Sequence, residues 1–144
     1  MTKTTAAWRI TDDKVIEQFR AKRGAIKRQY PVILVTTTGR RTGRALVTPL
    51  NFSEDGDRLA VIASAGGSET HPAWYLNLQA NPEVTIEHGS ETFRARAYTS
   101  AEPERTRLFD AQVRLMPFFG TYRRQVKTRE IPVVVFERIG DGEG

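Results

Sequence analysis

The chain has 144 residues, 39% of them hydrophobic and 27% charged, with a net charge of +5 and no cysteine. One domain of this size buries a working core without cross-links, and the missing thiols exclude disulfide frameworks, thiol catalysis and cysteine-ligated metal centres. No aliphatic run approaches the about 20 residues that span a bilayer, and the N-terminus lacks an apolar signal stretch, so a cytoplasmic location is the expectation.

Residues 1–30 read as an N-terminal helical segment. Thr11 ahead of Asp12 and Asp13 has the signature of a helix start, a hydroxyl cap followed by acids at the positive end of the dipole. Val15, Ile16 and Phe19 share one face, and Gly24 marks the end or a break. Pro31 stops any helix, and residues 32–37 (VILVTT) form a buried strand by their β-branched content. A turn at 39–43 sends the chain back through 45–52 as a second strand. Glu54-Asp-Gly-Asp57 is a hairpin signal leading into a third strand over 58–64. Gly66-Gly67 opens a loop, and residues 72–80 form a short helix begun by a proline and ended at Asn81-Pro82.

Residues 84–88 and 92–99 alternate about His88-Gly-Ser90 as another hairpin. A helix over 102–115, a break at Pro117, a short helix over 118–126 and a sixth strand over 131–139 follow, and 140–144 (GDGEG) read as a flexible tail. Short strands joined by hairpins, with helices between them, predict an α+β, mainly β fold. Its architecture is an antiparallel barrel of about six strands, with N-terminal, central and C-terminal helices. The βαβ alternation of a dinucleotide-binding fold is absent, as is any G-x-G-x-x-G.

Protein-borne catalysts are scarce. His88 reads as a surface turn residue, and His71, before Pro72, as a structural group or a ligand contact. No metal-ligand spacing and no G-x-S-x-G elbow occur, so any difficult chemistry falls to a bound cofactor. Three segments could hold one. Thr36-Thr-Thr-Gly39-Arg-Arg-Thr-Gly43-Arg44 combines backbone donors, hydroxyls and guanidinium forks suited to carboxylate or phosphate. It reads equally as a solvated hairpin tip. Ile62-Ala63-Ser64-Ala65-Gly66-Gly67 lets a flat ligand approach the main chain, or is an ordinary loop. His71-Pro-Ala-Trp-Tyr-Leu-Asn77 brings two aromatics and an amide to a helix start.

Taken in order with Thr48-Pro49-Leu50 and Arg129-Glu-Ile-Pro-Val133, these segments resemble the deazaflavin-dependent nitroreductase family. These are coenzyme F420-dependent oxidoreductases of actinobacteria and relatives. The resemblance covers about residues 31–137. It implies a split β-barrel related to flavin-nucleotide-binding proteins over 31–139, with F420 in a groove beside it. By this resemblance Arg40, Arg41 and Thr42 hold the phosphate and acidic tail, and Thr48, Pro49 and Leu50 line the groove. Ile62, Ala63, Ser64 and Ala65 meet the deazaflavin ring largely through backbone, and Ala73, Trp74, Tyr75 and Asn77 close the site. The pattern breaks at Arg44 and Leu46, where a Gly-x-Pro-basic arrangement is usual, and of the tyrosines some members place over the ring only Tyr122 is present.

The implied reaction is hydride transfer from C5 of reduced F420 to a small activated acceptor, a quinone, an enone or a nitro compound. The charge that develops on the acceptor needs a donor, and Ser64 and Tyr122 are the candidate catalytic groups, beside solvent. An FMN-dependent enzyme of the same fold, a cofactor carrier without turnover and a nucleic-acid-binding barrel are the alternatives. Against the last, the aromatics do not interleave with the basic residues, so no nucleic acid is expected. Trp8, Ile16 and Phe19 beside Lys22, Arg23, Lys27 and Arg28 suit either weak membrane contact or packing on the barrel. A monomer and a homodimer both remain open.

Overall fold

The computed structural model describes the backbone of residues 2–26 and 28–140, and the side chains of 12–26 and 28–140. Within it, helix α1 (Thr2–Ala21) precedes strands β1 (Val32–Thr38), β2 (Ala45–Asn51), β3 (Ser53–Asp55) and β4 (Arg58–Ile62). A single 3-10 turn (Ala65–Gly67) and helix α2 (Ala73–Ala80) follow, then β5 (Glu83–His88), β6 (Glu91–Thr99), α3 (Glu104–Leu115), α4 (Phe118–Gln125) and β7 (Val133–Arg138).

All strand pairs are antiparallel, in the order β2-β1-β5-β6-β7-β4-β3. The two edge strands of that order are neighbours in the chain. Only Phe52 separates the end of β2 from the start of β3, so the sheet has to curl until its edges meet there. Phe52, 8% exposed, fills the closing corner with its ring edge-on to His88 at 5.0 Å. Beyond that corner β2 and β3 diverge and the barrel is split. This bend is what the sequence reading missed: it ran the second strand through to Phe52 and overlooked β3, so the described residues hold seven strands instead of six.

Strand alternation explains the continuous apolar runs. Ile33 and Val35 of β1, Leu59 and Val61 of β4, and Val134 and Phe136 of β7 point into the barrel, where Trp74, Tyr75 and Leu78 of α2 plug it. The intervening Ala60, Ile62, Val133 and Val135 face outward under α3 and α4, against Leu108, Phe109 and Phe119. On the far side Val32 and Leu34 are covered by Val15 and Phe19 of α1. Both faces of these strands are therefore buried, and period-2 polarity disappears from the sequence.

Two expectations for the N-terminal segment change. The helix does not start at Thr11: it runs from Thr2, so the cap-like Thr11-Asp12-Asp13 lies inside it. Burial and the neighbouring Asp13 raise the Asp12 carboxyl above its ordinary range, as acids away from a helix start should behave. The helix ends as expected near Gly24. Arg23 N–H bonds Arg20 O at 3.3 Å and Gly24 N–H bonds Phe19 O at 2.8 Å, with Arg23 and Gly24 at φ +52° and +83°. Membrane contact is not supported, because Phe19 is 2% exposed and Ile16 packs beside it on the sheet. No described helix is long and apolar enough to cross a membrane. The side chains of Trp8 and Lys27, and most of the expected tail (141–144), lie outside the described residues.

An ionic network ties α3 to the β3–β4 hairpin. Asp55 accepts from Arg58 and from Arg107 (Nη1 3.0 Å), while Arg58 also reaches Glu104 at 3.1 Å and the Tyr98 hydroxyl at 2.6 Å. Hydrogen bonds from Arg107 and Arg58 hold the Asp55 carboxyl at about 2, below its ordinary 3.8. Its contribution is complete above pH ~4 and is lost as pH falls toward ~2, because the unfolded chain takes up the proton first. Asp55→Asn is expected to lower the unfolding free energy at neutral pH by about 1–2 kcal/mol, discounted for partial solvent exposure. It should also flatten the acid limb of a urea-denaturation series. An acid limb as steep as that of wild type would contradict this assignment.

Candidate functional site

The β1–β2 connection is a turn that closes on itself. Gly39 N–H bonds Arg44 O at 2.7 Å, Gly43 N–H bonds Gly39 O at 2.9 Å, and Thr42 Oγ1 accepts the Arg44 N–H at 3.1 Å. Gly43 sits at φ +73°, a conformation that favours glycine. The turn is fastened from below by Asn77 of α2, which is 4% exposed. Its Oδ1 accepts both the Arg40 N–H (3.1 Å) and Arg40 Nη1 (3.0 Å), and its Nδ2 donates to Thr37 Oγ1 at 3.3 Å. Asn77 is thus less a wall of the site than the peg that sets the arginine turn on the barrel.

Arg41 and Arg44 are exposed, and among the described residues Arg40, Arg41 and Arg44 have no carboxylate within ion-pair distance. Other arginines of the fold are neutralised: Arg58 and Arg107 pair with Asp55, and Arg94 and Arg96 with Glu83. The turn lines an open concavity of about 270 Å³ with Ala45, Leu46 and Asn77. From it the inner face of β2 continues through Leu46, Thr48 and Leu50, paired with Thr37, Val35 and Ile33. Leu46 is 40% exposed, an unusual position for a large apolar side chain beside three arginines.

A second constellation lies at the other end of α2. The guanidinium of Arg129 donates from Nη1 to Ala63 O (3.1 Å), from Nη2 to Ser64 O (2.9 Å) and Ser68 O (2.9 Å), and from Nε to Ser68 O (3.1 Å). Nη1 also lies 3.0 Å from His71 Nδ1. Since arginine only donates, that nitrogen holds its lone pair and the proton sits on Nε2. Burial and the adjacent Arg129 charge both lower the His71 pKa, which keeps the ring neutral.

Within the loop so held, Ala65, Gly66 and Gly67 follow one another at φ +50°, +64° and +86°. The left-handed alanine costs about 1–2 kcal/mol and persists only where its surroundings hold it. Gly67 leaves no room for a side chain: a Cβ there would stand 2.7 Å from Gln125 Nε2 and 3.1 Å from the Tyr122 ring. Tyr122 of α4 is therefore brought against the Ser64–Gly67 loop.

The residues singled out from the sequence accordingly fall into three groups. Arg40, Arg41, Thr42 and Asn77 share the first constellation, with Thr48 and Leu50 on the strand leading away from it. Ser64, Ala65 and Tyr122 share the second. The rest sit elsewhere. Pro49 pairs with Leu34 and so faces the outer side of the sheet, and the Ile62 side chain packs in the cluster beneath α3 and α4. Ala63, Trp74 and Tyr75 belong to the barrel core at 0%, 6% and 4% exposure, the Tyr75 hydroxyl engaged by Thr99 and Gln79. Ala73 is exposed at the start of α2.

This curled sheet is shared with solved structures. The structure of an F420-H2-dependent reductase (FDR-A) matches with a TM-score of 0.69 at 33% identity, over 74% of this chain and 94% of that one. A structure described as a domain-swapped dimer matches with a TM-score of 0.71 at 31% identity, over 87% of this chain and 98% of that one. Along the sequence, residues 8–138 match the F420H(2)-dependent quinone reductase family. The chain belongs to that family.

Among its relatives is the F420H(2)-dependent quinone reductase Rv1261c of Mycobacterium tuberculosis, 36% identical over 110 residues, 75% of this chain and 74% of the relative. Rv3178 of the same organism, a putative quinone reductase of this type, is 32% identical over 109 residues, 76% and 91% of the two chains. The heme storage protein HutZ of Vibrio cholerae, at 16% identity and a TM-score of 0.55, shares the fold alone. Family membership makes the chain an oxidoreductase with coenzyme F420 as its cofactor. The donor set fits that group: a phosphate and a chain of carboxylates require cations without acidic partners, and Arg40, Arg41 and Arg44 provide them. The residue of this second constellation to which the sequence reading assigned no role is Arg129. It stands in one of the family-like segments, but nothing local separates this half-buried guanidinium from the exposed Arg123, Arg124 and Lys127 just before it.

Proposed function

We propose that the chain is an F420H2-dependent reductase that delivers hydride to a quinone or a chemically similar acceptor, an enone or a nitro compound. The uncompensated arginine turn beside the open barrel edge carries this reading, in a chain of the quinone reductase family. When bound, the cofactor supplies the hydride from its reduced deazaflavin ring. Arg40, Arg41 and Thr42 bind the phosphate and acidic tail, with Asn77 setting the direction of Arg40. Thr48 and Leu50 form the side of the groove, and the backbone of residues 63–65 forms the floor for the ring. Ser64 Oγ and the Tyr122 hydroxyl stand ready to donate a hydrogen bond to the charge that develops on the acceptor. The Phe118 and Phe119 rings pack against Tyr122 at 5.8 and 5.7 Å, which limits its rotation.

The experiment is steady-state oxidation of F420H2 with a quinone, an enone and a nitroaromatic as separate acceptors, followed by the returning absorbance of oxidised F420. Turnover with the quinone is the expected result, and absence of turnover with all three would overturn the proposal. In the same assay Ser64→Ala should lower kcat about ten- to a hundredfold with a smaller change in F420 affinity, since a well-placed donor to a developing anion is worth no more than ~10²–10³. An unchanged kcat would return Ser64 to packing.

A further inference from the structure

We infer that Arg129 is a positioning residue for hydride transfer: its guanidinium, spread across the carbonyls of Ala63, Ser64 and Ser68, fixes the backbone segment on which the cofactor ring is to lie. The inference rests on the reading above, in which residues 63–65 carry the ring.

Arg129 has five N–H donors, and five acceptor contacts lie at 2.9 to 3.1 Å: Ala63 O, Ser64 O, Ser68 O twice, and His71 Nδ1. The fork geometry is therefore fully used, and four of the five contacts go to main-chain oxygen. The loop thus held contains the three consecutive left-handed residues Ala65–Gly67, which have few other restraints. Gln125 Nε2 donates to Gly67 O at 3.2 Å, and the Glu69 carboxylate accepts from the Lys127 and Thr128 backbone at 2.9 Å. These two contacts stitch the loop to the chain entering β7 but touch neither Ala63 nor Ser64. At that end the backbone contributes Ala63 N–H to Pro132 O and Gly67 N–H to Ser64 O, both at 2.9 Å, and Arg129 is the one side chain among the described residues that holds the Ala63 and Ser64 carbonyls. Each carbonyl it holds belongs to a peptide plane, so fixing Ala63 O and Ser64 O also fixes the N–H groups of Ser64 and Ala65 on the opposite side. The N–H groups of Ser64 and Ala65 have no protein acceptor among the described residues. Lysine could not replace this arrangement, because one ammonium with three donors cannot reach oxygens spread along residues 63–68.

The test compares Arg129→Lys, His71→Ala and Glu69→Gln with the wild-type chain. Without cofactor, amide hydrogen exchange at residues 64–68 should accelerate at least tenfold in Arg129→Lys. With cofactor, the absorption band of bound F420 should move toward that of the free compound, and kcat at saturating F420H2 should fall ten- to a hundredfold. KM for F420H2 should change by less than about threefold, because the arginine turn still holds the tail. Glu69→Gln loosens the same loop from its other end, so it should lower Tm while kcat stays within about twofold. His71→Ala removes one acceptor of the five and should give the same shifts at two- to fivefold amplitude, which keeps the test decisive if Arg129→Lys does not fold. Wild-type exchange, bound spectrum and kcat in Arg129→Lys would overturn the inference. So would a loss of turnover in Glu69→Gln equal to that in Arg129→Lys, which would reduce Arg129 to general stability. A wild-type chain that does not bind F420 would instead remove the underlying reading, while the exchange measurement would still report whether Arg129 holds the loop.

Discussion

Replacing Arg40 and Arg41 together by alanine is expected to weaken F420 binding by about 2–5 kcal/mol, roughly 30- to 5,000-fold. Each hydrogen-bonded charge contributes about 1.5–3 kcal/mol, and two neighbours gripping one anionic chain do not add fully. The structure makes the experiment clean. The Arg40 side chain shares Asn77 Oδ1 with its own backbone N–H, so truncation leaves that oxygen with a partner at 3.1 Å and the turn in place. The bonds that close the turn, Gly39 to Arg44 and Gly43 to Gly39, involve no side chain. The loss should therefore appear in the dissociation constant, with kcat at saturating cofactor nearly unchanged, because binding shared by ground and transition states does not enter the chemical step. Salt should weaken wild-type binding more than that of the double mutant, since the arginines are exposed and screened. Unchanged affinity together with unchanged salt dependence would leave the turn a solvated hairpin tip.

The second large effect concerns the barrel. Phe136 is 1% exposed on β7 and projects into the interior cluster, where its strand partners are Leu59 on one side and Ala97 on the other. Phe136→Ala should destabilise the chain by about 3–5 kcal/mol, the transfer term for the lost ring plus a cavity that strands bonded on both sides cannot collapse into. For a chain of this length Tm should fall by roughly 10–20 °C. Leu115 is the control: it is also a large apolar residue but 60% exposed, so Leu115→Ala should stay within about 0.5 kcal/mol. Equal losses in a thermal-denaturation comparison would contradict the placement of the core.

Much of this architecture is legible in the sequence, for reasons that differ between elements. The β1 and β7 strands carry β-branched runs and β5 and β6 alternate, and the Asp55-Gly-Asp-Arg58 and His88-Gly-Ser-Glu91 hairpins follow from local chemistry alone. What could not be read is set from a distance. The Thr11-Asp12-Asp13 signature satisfies every local rule for a helix start, yet α1 runs through it from Thr2. The kink at Phe52 that divides β2 from β3 is imposed by closure of the sheet, and Asn51 and Ser53 beside it are too weak a local turn signal to announce it.

The candidate site shows the same division. The arginine turn was recognisable because glycines and guanidinium groups state their chemistry locally. Trp74 and Tyr75, adjacent aromatics at a helix start, looked like part of a binding surface. Their side chains plug the barrel, because α2 turns that face inward. Arg129 lay hidden for the opposite reason: its partners are main-chain oxygens at residues 63–68, whose convergence on it exists only in the fold.

The most direct test of the account is a pair of titrations on the wild-type chain at one fixed salt concentration, with F420 and with FMN, read by the change in cofactor fluorescence. The two ligands share a tricyclic ring and a phosphate, but only F420 carries carboxylates beyond it, the groups that the proposed role of Arg40 and Arg41 requires. Saturable binding of F420, tighter than that of FMN by tenfold or more, is the predicted result. FMN binding as tight as that of F420, or no saturable binding of F420, would contradict it.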